Sequence, residues 1–189
     1  MAAYYKSFMS TLSALLTHDP SIKCTLHTHQ FHGFTDSEAS SETVRNYPWT
    51  LQEQIDGALS DLTTHIAPNP TKTYDGVILM GHSVGCYVLL ELLSQIRDSN
   101  ISLPPLLAGI LLFPTVTHIA KSPSGVKFTK LLKIPRFVDR ASWVAKGLVW
   151  PLGWKLTRWL VGVVTSMPRD SAEVTTGFLR SRMGIWQAL

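Results

Sequence analysis

The five residues Gly81-His82-Ser83-Val84-Gly85 constrain this chain more than any other segment. They read G-x-S-x-G. They follow directly on an apolar run, Tyr74-Asp75-Gly76-Val77-Ile78-Leu79-Met80, and lead into Val88, Leu89, Leu92 and Leu93 at helical spacing. A serine hydroxyl is a weak nucleophile and must be carried on a sharp turn where a base can reach it, which asks for glycine at the flanking positions. Gly81 and Gly85 answer that need. At ordinary Gly and Ser usage such a motif arises by chance in roughly one chain of this length in twenty, so the motif alone decides little. The strand-turn-helix context makes Ser83 the expected nucleophile. The other reading of the same residues is architectural: a turn kept in a relative that has lost activity.

The rest of the chain supplies an α/β pattern around that turn. Tyr4, Tyr5, Phe8, Met9, Leu12, Leu15 and Leu16 recur at spacings of three and four, which predicts an amphipathic helix stopped by His18-Asp19-Pro20. Ile22 to Leu26 is expected as a short buried strand, followed by a loop rich in histidine, His27 to Phe34. Residues 36–47 have loop composition, and Pro48 is expected to start a helix running to about Ile66, with Leu51, Ile55, Ala58, Leu59 and Leu62 as its apolar face. Pro68-Asn69-Pro70 breaks the chain before the run at Tyr74–Met80, read as a buried parallel strand. Cys86 to Ile96 reads as a helix and Leu106 to Phe113 as a second apolar strand broken by Pro114. Helices alternating with strands imply parallel strands covered on both faces. The expected core is residues 1–125, followed by a Trp-rich helical insertion at 126–164 and a further helix over 165–189, all in a single domain.

A working Ser83 needs partners. The backbone N–H of Val84, the residue after the nucleophile, is the expected oxyanion donor. The triad order in this kind of site is Ser, then an acid, then His. His118 is the sole histidine after Ser83. It comes only five residues beyond the strand that ends at Phe113, too early to follow two further strands. Glu91 and Asp98 belong to the helix after the turn, and Asp139, Asp170 and Glu173 come after His118. The chain therefore offers no complete triad. His82 reads as a packed, hydrogen-bonded side chain and not as the base. His27, His29 and His32 have no acid or cysteine beside them in sequence, so no metal is expected there. They are expected to line the mouth of the crevice at a strand's carboxyl end. Cys86 reads as helix packing.

Bulk properties exclude several classes. The formal charge is +4, and the basic residues cluster between Lys121 and Lys155 instead of covering the surface, so nucleic acid is not an expected partner. Cys24 and Cys86 have neither disulfide-framework nor metal-ligand spacing. The N-terminus lacks the layout of a secretory signal. Lys146, Lys155, Arg158 and Pro151 interrupt the most apolar region, so a spanning helix is not expected.

These residues resemble the lipid droplet-associated hydrolase family, a branch of the α/β-hydrolases. Tyr4-Tyr5-x-x-Phe8 is similar to its first helix, His29-Gln30-Phe31-His32-Gly33 to its His-Gly loop, and Gly81–Gly85 to its nucleophile motif. The run from Leu112 to Gly125 is similar to its segment after the nucleophile helix, and His118 falls inside that loop. The resemblance implies a partial α/β-hydrolase fold. It also implies a serine-dependent carboxylic ester hydrolase, free of metal and organic cofactor, acting on sterol esters or acylglycerols at lipid droplets and the cytosolic face of the endoplasmic reticulum. It carries over Ser83 alone. The family's P-G-N-P-G-like turn, where the second oxyanion donor is expected, and its triad Asp and His have no counterpart here, so the chain is expected to be truncated at both ends.

Trp143, Trp150, Trp154 and Trp159 alternate with Leu148, Leu152, Leu156 and Leu160 among Lys146, Lys155 and Arg158. Two readings stand. Trp favours a boundary with one wet edge and Lys or Arg can snorkel toward head groups, which fits a membrane surface. The same residues could equally form a helical lid with its own core. The family resemblance favours surface attachment, with a helical hairpin turning near Pro151-Leu152-Gly153. The rival function is a catalytically incomplete protein that binds the droplet surface.

Overall fold

The computed structural model describes residues 2–34, 48–66, 73–99, 101, 103–118 and 121–180. It divides into two compact units, one of residues 49–137 and the other of residues 1–48 with 138–189.

The unit of residues 49–137 holds the sheet. Its first helix is α2 (Leu51–Ile66), which follows α1 (Lys6–Leu16) of the other unit in the chain. Residues 49–50 precede α2 as irregular chain, so the helix begins three residues later than Pro48 suggests. The reason is a capping box at Thr50-x-x-Glu53. The Glu53 carboxylate accepts from the Thr50 N–H at 2.8 Å, and Thr50 Oγ1 accepts from the Glu53 N–H at 3.2 Å. Each side chain satisfies a donor that the helix start leaves without an internal acceptor. Thr50→Ala is expected to destabilise this unit by about 1 kcal/mol, read by urea denaturation; a loss near zero would show that the cap contributes nothing.

β1 (Val77–His82) and β2 (Leu106–Leu112) pair in parallel, with Met80 opposite Ile110 and His82 opposite Leu112. α3 (Val84–Asp98) crosses between them and buries Cys86, Val88, Leu89 and Leu92. It packs against both strands, and α2 packs on α3 through a face that buries Ile55 and Ala58. Both strands were expected to be covered on both faces, and they are not. Ile78 and Met80 remain 57% and 42% exposed, and Ile110, opposite Met80, 36%. Successive strand residues point to opposite faces, and α3 covers one of them. Nor is Ile22–Leu26 a strand: it has no ladder partner, and Ile22 is exposed. A strand's backbone groups need a neighbour to pair with, and among the described residues the sheet has two strands. After β2 come α4 (Pro123–Leu132), whose start Ser122 caps by accepting from the Gly125 N–H at 3.0 Å, and the beginning of α5 (Phe137–Val149).

The other unit is helical. Ala2–Tyr5 form a short 3-10 helix leading into α1, the helix expected before His18. α6 (Trp154–Thr165) packs on α7 (Arg169–Arg180), burying Thr157 and Val161 against a face that buries Ala172 and Thr176. Gly162 lies near Ala172 and Gly177 near the Trp154 ring, so small residues let the helices approach. α7 also holds the N-terminal residues: Tyr4 Oη hydrogen-bonds Thr175 Oγ1, and Phe34 stacks on Phe178 at 5.3 Å. The loop composition of residues 36–47, the breaker at 68–70 and the continuation of the last helix over 181–189 lie outside the described residues. No helix among the described residues is long and apolar enough to cross a membrane.

Candidate active site

Ser83 sits where β1 gives way to α3, and its backbone is held at φ 54°, ψ −123°. That region is sparsely populated and costs a non-glycine residue on the order of 1–3 kcal/mol, so it persists only where the surroundings over-determine it. They do so here. The Ser83 N–H donates to Leu112 O at 3.0 Å, extending the β1–β2 ladder by one step. Its carbonyl accepts from the N–H groups of Cys86 at 3.0 Å and Thr115 at 3.3 Å.

The turn is as tight as the sequence suggests on one side only. A Cβ on Gly81 would come within 2.6 Å of Gly85 O, 2.8 Å of Cys86 Cα and 2.9 Å of Cys86 N, all backbone. A Cβ on Gly85 would meet nothing within 4 Å. Gly81 is demanded by close approach; Gly85 is not, a correction to the equal role both were given.

Serine at the start of a helix ordinarily turns its oxygen back to cap the first N–H groups. Ser83 does not: its side chain makes no capping bond. Its Oγ lies instead 3.3 Å from Thr115 Oγ1, and the residue is half-buried, so a reactant can reach it. Among the described residues no histidine or carboxylate hydrogen-bonds it. Val84 opens α3, so its N–H is one of the first four that a helix leaves without an internal acceptor. His82 is exposed and meets the likewise exposed Phe113 ring edge-on at 5.9 Å, so it is not the packed side chain expected, whereas Cys86 is fully buried with its Sγ donating to Leu112 O at 3.4 Å. His118 falls in the loop beyond β2 with a left-handed φ of 59°. One turn along α3 from the Ser83 end, the Glu91 carboxylate holds the Tyr87 phenol above its ordinary pKa through a hydrogen bond.

Thr115 is the neighbour that sequence reasoning missed. It is 32 residues away, and only the parallel pairing of β1 with β2 makes it adjacent. An apolar cleft of about 250 Å³ lies at the other end of the sheet, among Leu62, Ile66, Val77, Leu93 and Leu106, at the amino ends of the strands. Ser83 is at their carboxyl ends, where open α/β sheets carry their sites.

In the helical unit the four tryptophans stand at the surface, with Trp143 78%, Trp150 72%, Trp159 61% and Trp154 43% exposed. The break between α5 and α6 falls at residues 150–153, where a turn is expected. Gly153 is the N-cap of α6, its carbonyl accepting from the Leu156 and Thr157 N–H groups. Arg180, on α7, closes the corner: Nη1 donates to Leu152 O at 2.6 Å and to Val149 O at 3.2 Å, satisfying a carbonyl at the end of α5. His29 of the histidine loop meets Phe31 and His32 edge-on, at 5.6 and 6.4 Å between ring centres.

The model of a family described as lipid-droplet associated hydrolase matches residues 1–189. Among curated proteins, the lipid droplet-associated hydrolase of Pongo abelii is 32% identical over 104 residues, 55% of this chain and 29% of the relative. That of Homo sapiens is 31% identical over 104 residues, again 55% and 29%. That of Gallus gallus is 25% identical over 135 residues, 70% and 39%. The matched part thus spans about a third of these relatives' length. No solved structure matches the chain.

Proposed function

Since the chain belongs to the lipid-droplet associated hydrolase family, we propose that it is part of a serine-dependent carboxylic ester hydrolase of the α/β-hydrolase fold, cleaving lipid esters at lipid droplets. The observation that carries this is Ser83: a strained backbone at a strand-to-helix turn, with a hydroxyl withheld from helix capping. Strain of this kind is kept where function requires it. Ser83 Oγ attacks the acyl carbonyl and its proton passes through a base to the departing alcohol. The tetrahedral oxyanion meets the Val84 N–H, and the acyl group stays on Ser83 as an ester. Water then attacks that ester, releasing the acid and restoring the hydroxyl. Sterol esters and acylglycerols are the substrate class.

The exposed tryptophans supply the surface-attachment part of the reading. Between Lys121 and Met167 stand nine Lys and Arg against the single acid Asp139. Aromatic and basic side chains together suit a lipid surface whose head groups include anions. A second reading rests on one observation, that no histidine or carboxylate among the described residues bonds Ser83: the chain binds the droplet surface and does no chemistry.

A fluorophosphonate probe, which reacts with activated serines, separates the two. The chain is expected to be labelled, and Ser83→Ala to abolish the label. A folded chain that takes up no probe would leave the surface-binding reading in possession.

A further inference from the structure

Resting on the reading of Ser83 as nucleophile, we propose that Thr115 is its positioning residue, holding Ser83 Oγ in one rotamer through its hydroxyl. Three contacts join the two residues' neighbourhoods: Ser83 N–H to Leu112 O, Thr115 N–H to Ser83 O, and the two hydroxyls at 3.3 Å. The chain is bent to make them. Phe113 follows β2 with a left-handed φ of 47°, an uncommon conformation for a bulky side chain, and the ring of Pro114 fixes the next φ. That bend returns Thr115 to the end of β1.

A serine side chain has three staggered rotamers. Because Ser83 caps nothing, its own helix selects none of them, and Thr115 is the side chain whose polar atom meets it. A hydroxyl can turn to serve as either acceptor or donor. At rest either hydroxyl can donate to the other. When a base takes the Ser83 proton, the Thr115 O–H donates to the Oγ that is acquiring charge. Thr115 forms and breaks no covalent bond. The 3.3 Å separation is long for an O–H···O bond, as contacts in unliganded active sites often are before substrate tightens them.

The test uses this chain with isotopically labelled serine, Ser83 being assigned by its loss in Ser83→Ala. Hα–Hβ couplings report the Ser83 rotamer, and the fluorophosphonate rate reports its reactivity. Wild type and Thr115→Ser are expected to show one dominant rotamer. Thr115→Val, which keeps the shape and drops the hydroxyl, and Thr115→Ala as a second deletion are expected to show averaged couplings. Labelling should be about fivefold slower in both deletions, as loss of one neutral hydrogen bond implies, and restored in Thr115→Ser. Wild-type couplings in both deletion variants would overturn the positioning role whatever the probe does. Couplings that respond in a chain that never labels would uphold it and fail the nucleophile reading instead.

Discussion

Gly81→Ala is expected to destabilise the unit of residues 49–137 by at least ~3 kcal/mol and to abolish fluorophosphonate labelling of Ser83. The new methyl would sit within 2.9 Å of three backbone atoms on the first turn of α3, none of which can rotate aside. Relief requires α3 to move off β1, and that motion breaks the bonds from Ser83 to Leu112 and Thr115 that sustain its strained conformation. Gly85→Ala is the control. Its Cβ would enter open space within a helix, so it should leave stability unchanged or raise it by up to about 1 kcal/mol. Urea denaturation of the two variants checks both. A Gly81→Ala protein within 1 kcal/mol of wild type would show that the turn has slack the structure denies it.

The other large effect is expected at the opposite kind of site. Trp150→Glu combined with Trp154→Glu should weaken binding to droplets or to zwitterionic vesicles containing an anionic lipid by about a thousandfold. A buried tryptophan contributes about 2 kcal/mol or more at the usual apolar-area coefficient, two are lost, and each 1.4 kcal/mol is tenfold. These two flank the corner closed by Arg180; Trp150 is largely exposed, whereas the Trp154 ring also meets Gly177 on α7, so its replacement costs the fold some packing. Vesicle co-sedimentation measures the affinity, with circular dichroism to show that the variant is folded. Undiminished binding by a folded variant would remove the tryptophans from any membrane role.

The strand-turn-helix around Ser83 was legible because one short segment carries apolar alternation, a glycine turn and helical spacing without help from elsewhere. The start of α2 was written in the chain too, as Thr50-x-x-Glu53, though Pro48 is the louder signal. Ile22–Leu26 shows where composition fails: whether a short apolar run becomes a strand depends on a partner it cannot name. The exposed faces of β1 and β2 fail for the same reason, since a continuous apolar run reads alike whether one face is covered or two. At the candidate site, the motif names Ser83 and Val84 as expectations, whereas it cannot name Thr115, because strand register brings it near. The tryptophans lie between two readings in sequence, and in the structure all four are exposed.

The helical unit is discontinuous along the chain. Among the described residues, residues 2–34 meet α7 by Tyr4 with Thr175 and Phe34 with Phe178, and Arg180 reaches back 28 residues to Leu152. On a ribosome adding about 5–20 residues per second, the corner between α5 and α6 emerges a second or more before the arginine that ties it. The unit of residues 49–137, by contrast, is continuous and has all its parts by then. Order of birth therefore differs from order of assembly: residues 2–34 wait for α7, and the tryptophan-bearing corner between α5 and α6 spends that interval untied.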